Sequence, residues 1–383
     1  MTSPNKTFAV VTGGGTSGHV LPALAVADAL IAAGRTPEEI HYVGCERGIE
    51  TRLLSDTRYE STFFDVVGFQ RSFSRRNFGF VPKMWRARKG AIELLRALQP
   101  SVVVSVGGYA SMPAVFAAHK LGIPVVVVSY DRLPGRASRL AAKRSAACAV
   151  AFEGSPLPRA TMTGAPVRQV MLDLDRTARR VEARVALGVG EDRFLVAIMG
   201  GSLGSGVLNR AIADYLGSHR DDDGLAVRQI AGERWVADID VVEPTGDAGV
   251  VHHVVGYEDD MPSVFAAADL LIGRGGASTV HEVAVTGTPA ILVPWAGSAE
   301  NHQEQNVSWL SDVGAAVVIS EDEIGRLGDE IDRLRHDDSA LAKLAEAASA
   351  RGQVHRSGAL ARLIEAVGQE SGTTVAQSAV RRP

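Results

Sequence analysis

Cysteine is scarce, aromatic residues are few, and long uninterrupted apolar runs are missing. The two cysteines, Cys45 and Cys148, have no metal-ligand spacing around them and suggest a reducing compartment without a structural disulfide. A membrane span needs about 20 apolar residues, and no stretch of that length occurs. The opening MTSPNKTFAVVTGGG has one lysine and a short apolar run broken by glycine, which is too little for a signal peptide. Positive charge is not in excess: 40 Lys and Arg against 44 Asp and Glu leave a formal net charge of −4, which argues against a general nucleic-acid binder. The expectation is a cytoplasmic protein whose membrane contacts are at most peripheral.

What the chain does have is apolar residues in short runs that end in glycine. With 383 residues, 46% of them hydrophobic and 22% charged, two domains can each bury a core. Phe8 to Thr12 reads as a buried strand, Gly13-Gly-Gly-Thr-Ser-Gly18 follows, and a helix is expected from about Leu21 to Ala33. Further strands are expected at 40–43, 102–106 and 124–128. The pattern restarts at 194–199 with a second glycine loop, Gly200 to Gly206, and strands at 249–255, 270–272 and 290–293. Strands alternating with helices imply right-handed βαβ units and parallel sheets. The reading is α/β, with Rossmann-like domains over 1–166 and 167–370 and a disordered tail over 371–383, where no apolar face recurs.

Gly13, Gly15 and Gly18 satisfy G-x-G-x-x-G between a strand and a helix, a dinucleotide-binding hypothesis. The P-loop reading fails because His19-Val20 stands where Lys-Ser/Thr is needed. A second glycine loop in the matching place weakens both a ligand-free turn and the NAD reading. His19, at a helix N-terminus, suits either a neutral imidazole able to take a proton or a ring that merely braces the loop. Arg274-Gly-Gly-Ala-Ser-Thr-Val-His-Glu282 opens another helix, where Glu282 could accept ribose hydroxyls or simply face solvent. His302, Gln303 and Asn306 follow the C-terminal end of a strand, the edge where open α/β sheets bind ligands.

Taken together, these segments resemble the MurG family, peptidoglycan transferases that add N-acetylglucosamine to lipid I to make lipid II. The resemblance runs from about residue 8 to about residue 365 and includes Gly14 to Ala25, Gly107 to Pro113, Gly164 to Arg168, Gly200 to Gly204, Tyr257 to Met261, Arg274 to Glu282 and His302 to Asn306. It implies the GT-B fold, two doubly wound domains facing across a cleft, with the last helix crossing back to the first. UDP-GlcNAc would be held chiefly by the second domain. Ser202, Ser278 and Thr279 would hold the diphosphate or uridine, Glu282 the ribose, and His302 and Gln303 the sugar, with Arg168 near the nucleotide. Thr16, Ser17 and Gly18 would help bind the donor from the first loop, with Thr16 also facing the cleft near the acceptor; His19 would be the catalytic base, and Tyr109 and Asp131 would face the acceptor. The implied reaction is an inverting displacement without an essential metal or other cofactor, at the cytoplasmic face of the cell membrane.

The chain departs from the family pattern at several of these positions. Where the family has His-Glu-Gln-Asn, this sequence reads Val128-Ser-Tyr-Asp131, so Ser129 and Asp131 replace a glutamate and an asparagine. Ser17, Ala165 and Leu203 stand for the usual glycine, asparagine and glutamine. These changes bear on the acceptor, and a transferase with another or a soluble acceptor is one alternative. A UDP-GlcNAc 2-epimerase and a NAD-dependent oxidoreductase, the latter using Glu46, are others.

Between Val66 and Ile92 no acidic residue occurs. Arg75, Arg76 and Lys83 interleave there with Phe78, Phe80 and Trp85, which suits an anionic membrane surface. A solvated helix with its aromatics in the core is the plainer alternative, and single-stranded nucleic acid a remoter one.

Overall fold

A computed structural model of the chain describes residues 7–46, 50–55, 57–66, 80–243 and 248–380. The chain divides into two compact units, Met1–Gln169 with Val354–Pro383, and Val170–Gln353. Both are parallel α/β sheets, and the fold is GT-B.

In the first unit the strands are β1 (Ala9–Thr12), β2 (Ile40–Cys45), β3 (Glu60–Phe64), β4 (Val102–Ser105), β5 (Val125–Ser129), β6 (Ala147–Val150) and β7 (Ala160–Met162). They pair in the order β3-β2-β1-β4-β5-β6-β7, every pair parallel. The second unit has β8 (Phe194–Met199), β9 (Leu225–Ile230), β10 (Val251–Val255), β11 (Leu270–Gly273), β12 (Ala290–Leu292) and β13 (Val317–Val318). Their order is β10-β9-β8-β11-β12-β13, again all parallel. Central strands such as Val-Val-Val-Ser in β4 are buried on both faces, as sheets covered by crossover helices require.

Strand order reverses between β1 and β4 in one sheet and between β8 and β11 in the other. At such a switch point the loops leaving neighbouring strands diverge and open a crevice. Register brings the exits level: Thr12 lies opposite Ser105, and Met199 opposite Gly273.

β8 lies where the sequence places it, whereas β3, β6, β7, β9 and β13 are additional to the strands read from it. In β9 the apolar run is interrupted by Arg228 and Gln229, both satisfied by partners distant in sequence: Arg228 pairs with Glu258 at 2.6 Å, and buried Gln229 donates to Asn209 at 3.1 Å. β6 is Ala-Cys-Ala-Val, a composition with little strand preference of its own.

Two boundaries need correction. The last helix, Ala359–Val380, continues through 371–380, so these residues are helical rather than a disordered tail; 381–383 lie outside the described residues. Its extension follows from a docked start, because each further residue adds a hydrogen bond to an existing helix. The second unit ends at Gln353 rather than at 370, and the chain from Val354, the last helix included, groups with the first, as the family resemblance implies. Arg35 bonds Glu365 at 3.2 Å, and a Cβ at Gly368 would stand 2.8 Å from the Phe8 ring.

Candidate active site

In the first unit the loop after β1 leads into the helix Ser17–Ala32, which starts four residues earlier than its apolar face suggests and so contains His19 in its first turn. Gly15 has φ +94°, and a Cβ there would lie 2.6 Å from the Tyr109 ring. Behind the loop, fully buried Glu50 accepts the Gly15 N–H at 2.7 Å, while its second oxygen has no hydrogen-bond partner among the described residues. Tyr42 donates to the Gly13 carbonyl at 2.6 Å. Thr16 and Gly18 are exposed; the Ser17 side chain lies outside the described residues.

His19 Nδ1 lies 2.7 Å from the Tyr130 hydroxyl. Its ring rests on Gly107 and Gly108, with φ +99° and +76°, and a Cβ at Gly108 would stand 3.0 Å from His19 Cδ2. Burial pushes the His19 pKa below the ordinary imidazole value, and the Asp131 carboxylate offsets part of that shift. Burial thus favours the neutral form of the ring at pH 7. A pocket of about 160 Å³ adjoins it, lined by Ser129, Tyr130, Asp131, Arg136 and Ser138. Arg168 is partly buried and belongs to this unit, not to the second domain in which the sequence reading put it.

In the second unit, loops 200–204 and 274–276 leave the adjacent strands β8 and β11. Buried Arg274 ties them together: it donates to Ser205 Oγ at 2.7 Å and to the Val293 carbonyl at 3.2 Å, and pairs with Glu321 at 2.6 Å. Ser205 in turn caps the helix Gly206–Ser218 through the Leu208 N–H. Ser202 is exposed on the first loop. Ser278, Thr279 and Glu282 lie half-buried on the helix Ala277–Thr286, whose N-cap, Gly276, provides no side-chain cap. That leaves its first amides available to an anion.

His302 and Gln303 open the helix His302–Ser311, and both are half-buried. A Cβ at Gly275 would be 2.7 Å from the Gln303 carbonyl, so this segment packs directly on the 274–276 loop. The Gln303 side-chain oxygen accepts the Trp295 N–H at 2.9 Å, and buried Asn306 donates to Gly275 O at 3.3 Å. Asn306 thus braces the loop through its amide.

Of the basic aromatic stretch, Arg75, Arg76 and Phe78 lie outside the described residues, as does the Phe80 side chain. Trp85 is 64% exposed on the helix Phe80–Leu98. Lys83 is bound to Asp65 at 2.6 Å, which reduces it as a membrane cation. Arg88, Lys120, Lys143 and Arg144, with Phe116 and Leu140, line a groove of about 520 Å³ in the same unit. No described helix is long and apolar enough to cross a membrane.

Sequence reasoning missed Glu50, Tyr130 and the bracing role of Arg274. One usable signal is Pro22: it has no N–H for the Gly18 carbonyl four residues earlier, so some other donor has to be found. Tyr130 is that donor.

Two family models match the chain, the glycosyltransferase family 28 N-terminal domain over residues 9–150 and its C-terminal domain over 195–359. A relative from Clavibacter sepedonicus is 35% identical, with 98% of this chain and 100% of that protein covered; it is named UDP-N-acetylglucosamine–N-acetylmuramyl-(pentapeptide) pyrophosphoryl-undecaprenol N-acetylglucosamine transferase. A protein of the same name from Paenarthrobacter aurescens is 37% identical over 90% of this chain and 91% of its own. Among solved structures, Acinetobacter baumannii MurG superposes with a TM-score of 0.67 at 22% identity, covering 94% of this chain and 99% of that one. Arabidopsis thaliana UGT89C1 complexed with UDP superposes with a TM-score of 0.62 at 14% identity, covering 96% and 100%.

Proposed function

The chain belongs to the MurG family of glycosyltransferases, and from that premise we propose that it moves N-acetylglucosamine from UDP-N-acetylglucosamine to lipid I, making the lipid II used for peptidoglycan. The observation that carries this reading is the likeness over almost the whole chain to relatives named for that transfer. A neutral, part-buried His19 at the first unit's switch point supports it.

The reaction is a single inverting displacement. An acceptor hydroxyl loses its proton to His19 as its oxygen bonds to the anomeric carbon; the bond from that carbon to the diphosphate breaks, and UDP leaves with the electron pair. Charge growing on the diphosphate needs preorganised donors. The uncapped amides at Ala277 to Thr279 and the exposed loop at Ser202 are suited to that task without a metal. Glu282 takes the ribose hydroxyls, and His302 with the amide nitrogen of Gln303 takes the sugar. Thr16, Tyr109 and Asp131 serve the acceptor, and Arg168 the nucleotide.

The acceptor is lipid-linked, so the protein docks on the cytoplasmic face of the membrane. The groove of Arg88, Lys120, Lys143 and Arg144 with Phe116 and exposed Leu140 combines cations with apolar surface, the pairing an anionic leaflet attracts.

The test is transfer of labelled N-acetylglucosamine from its UDP donor to a lipid I analogue, with UDP release followed in parallel. Transfer is expected. Donor binding without transfer would direct attention to Ser129 and Asp131 and to a different acceptor.

A further inference from the structure

We propose that Tyr130 fixes the tautomer of His19, so that Nδ1 carries the proton and Nε2 carries the lone pair that receives the acceptor proton. This rests on His19 acting as the base in the transfer proposed above; the tautomer itself does not.

The argument begins with Pro22. Inside the helix Ser17–Ala32 it supplies no N–H to the Gly18 carbonyl, and the Tyr130 hydroxyl donates to that carbonyl instead. A phenol has one proton. With that proton committed to an oxygen that can only accept, the Tyr130 oxygen faces His19 Nδ1 at 2.7 Å with a lone pair. Nδ1 must then be the donor, which leaves Nε2 unprotonated in the neutral ring. The opposite assignment would set the Tyr130 and Gly18 oxygens against each other with no proton between them.

The surroundings keep this arrangement in place. Tyr130 is 5% exposed, and both burial and Asp131 hold its hydroxyl well above the usual phenol range, so its proton stays. The two rings meet edge-on, with centroids 6.2 Å apart, and the backbone of Gly107 and Gly108 lies close against the imidazole. When Nε2 takes the acceptor proton, Nδ1–H continues to donate to Tyr130, so proton transfer requires no ring rotation. Tyr130 is a positioning residue: it acts through His19. It also occupies the segment where the chain departs from its family's His-Glu-Gln-Asn pattern.

The protein carries its own reference. His252 accepts the Val242 N–H at Nδ1 (3.1 Å), so its proton sits on Nε2, 2.9 Å from Gln229 Oε1. Long-range proton–nitrogen spectra of the full chain labelled with 15N-histidine, recorded above pH 7, distinguish the two forms. His19→Gln identifies the His19 signals by their loss. The expected result is an Nδ1–H pattern for His19 and an Nε2–H pattern for His252. In Tyr130→Phe the His19 pattern should move toward Nε2–H, with kcat falling about 10- to 100-fold, the scale of lost orienting groups, and the donor KM within about two-fold. An Nε2–H pattern for His19 in the unaltered protein overturns the proposal, whether or not Tyr130→Phe folds. Unchanged kcat in a folded Tyr130→Phe overturns it too. Absence of transfer to lipid I by the unaltered protein, with the Nδ1–H pattern present, would instead sink the acceptor assignment and leave the tautomer standing.

Discussion

The loops after β1 and after β8 occupy the same station in their sheets, yet one is braced by a carboxyl group and the other by a guanidinium. Glu50 takes the amide of Gly15 from behind, so that amide is unavailable to a phosphate. Arg274 reaches a serine hydroxyl and a carbonyl, and leaves the amides at the start of the Ala277–Thr286 helix uncapped. The first arrangement shapes a pocket for an imidazole; the second keeps donors ready for an anion. The two sheets thus set different side chains behind their glycine loops, and the uncapped amides belong to the helix that follows β11, alongside the loop after β8.

The most severe test of that contrast is His19→Ala. Turnover should fall about 10³-fold, within the usual range for removing a general base, with donor affinity retained. Equal losses in kcat and donor affinity would mean the first loop also holds the nucleotide. Next is Arg274→Ala, which strands Glu321 in a mostly buried site. Breaking a buried pair this way costs about 3 kcal/mol, and thermal unfolding together with weakened UDP binding should register it. Retained donor affinity in a destabilised protein would reduce Arg274 to a purely structural brace.

Acid should then weaken the second unit through His252. Burial holds His252 down at about 4, below the 6.5 of an unfolded histidine, so the unfolded chain binds its proton first. The stability from neutral His252 is present above pH 6.5 and is lost as pH falls toward 4, on the order of 2 kcal/mol after allowance for solvent screening. Chemical denaturation at pH 7.5 and pH 5 measures it, and His252→Gln should flatten the dependence. The smallest effect is expected from Glu50→Gln, which keeps an oxygen for Gly15 and costs about 1 kcal/mol. A loss of turnover as large as that of His19→Ala would show that the first loop depends on the carboxylate charge.

Much of this was legible in the sequence because β1, β8 and the glycine loops are local patterns. Apolar runs of four to six residues ending in glycine leave few alternatives for Ala9–Thr12 or Phe194–Met199. The family motifs put forward Glu282, His302 and Gln303 as donor contacts by position. What escaped depends on contacts between residues far apart in sequence. Glu50 reaches back 35 residues to Gly15, and Tyr130 lies 111 residues from His19. Asn306 reads as a ligand amide, and only packing on Gly275 shows it holding a loop. The helix start at Ser17 was missed for another reason: its first turn, Ser-Gly-His-Val, presents no apolar stripe.

The return of the chain at Val354 has a consequence for synthesis. The first unit is completed only by residues that emerge after the whole of Val170–Gln353 has been made. At 5–20 residues per second that interval is roughly 10–40 s. During it the sheet from β1 to β7 exists without the helix Ala359–Val380, and Phe8 without Gly368 against it. A ribosome therefore releases a protein whose second unit is finished before its first, and a stop codon ahead of residue 359 would injure the beginning of the chain rather than its end.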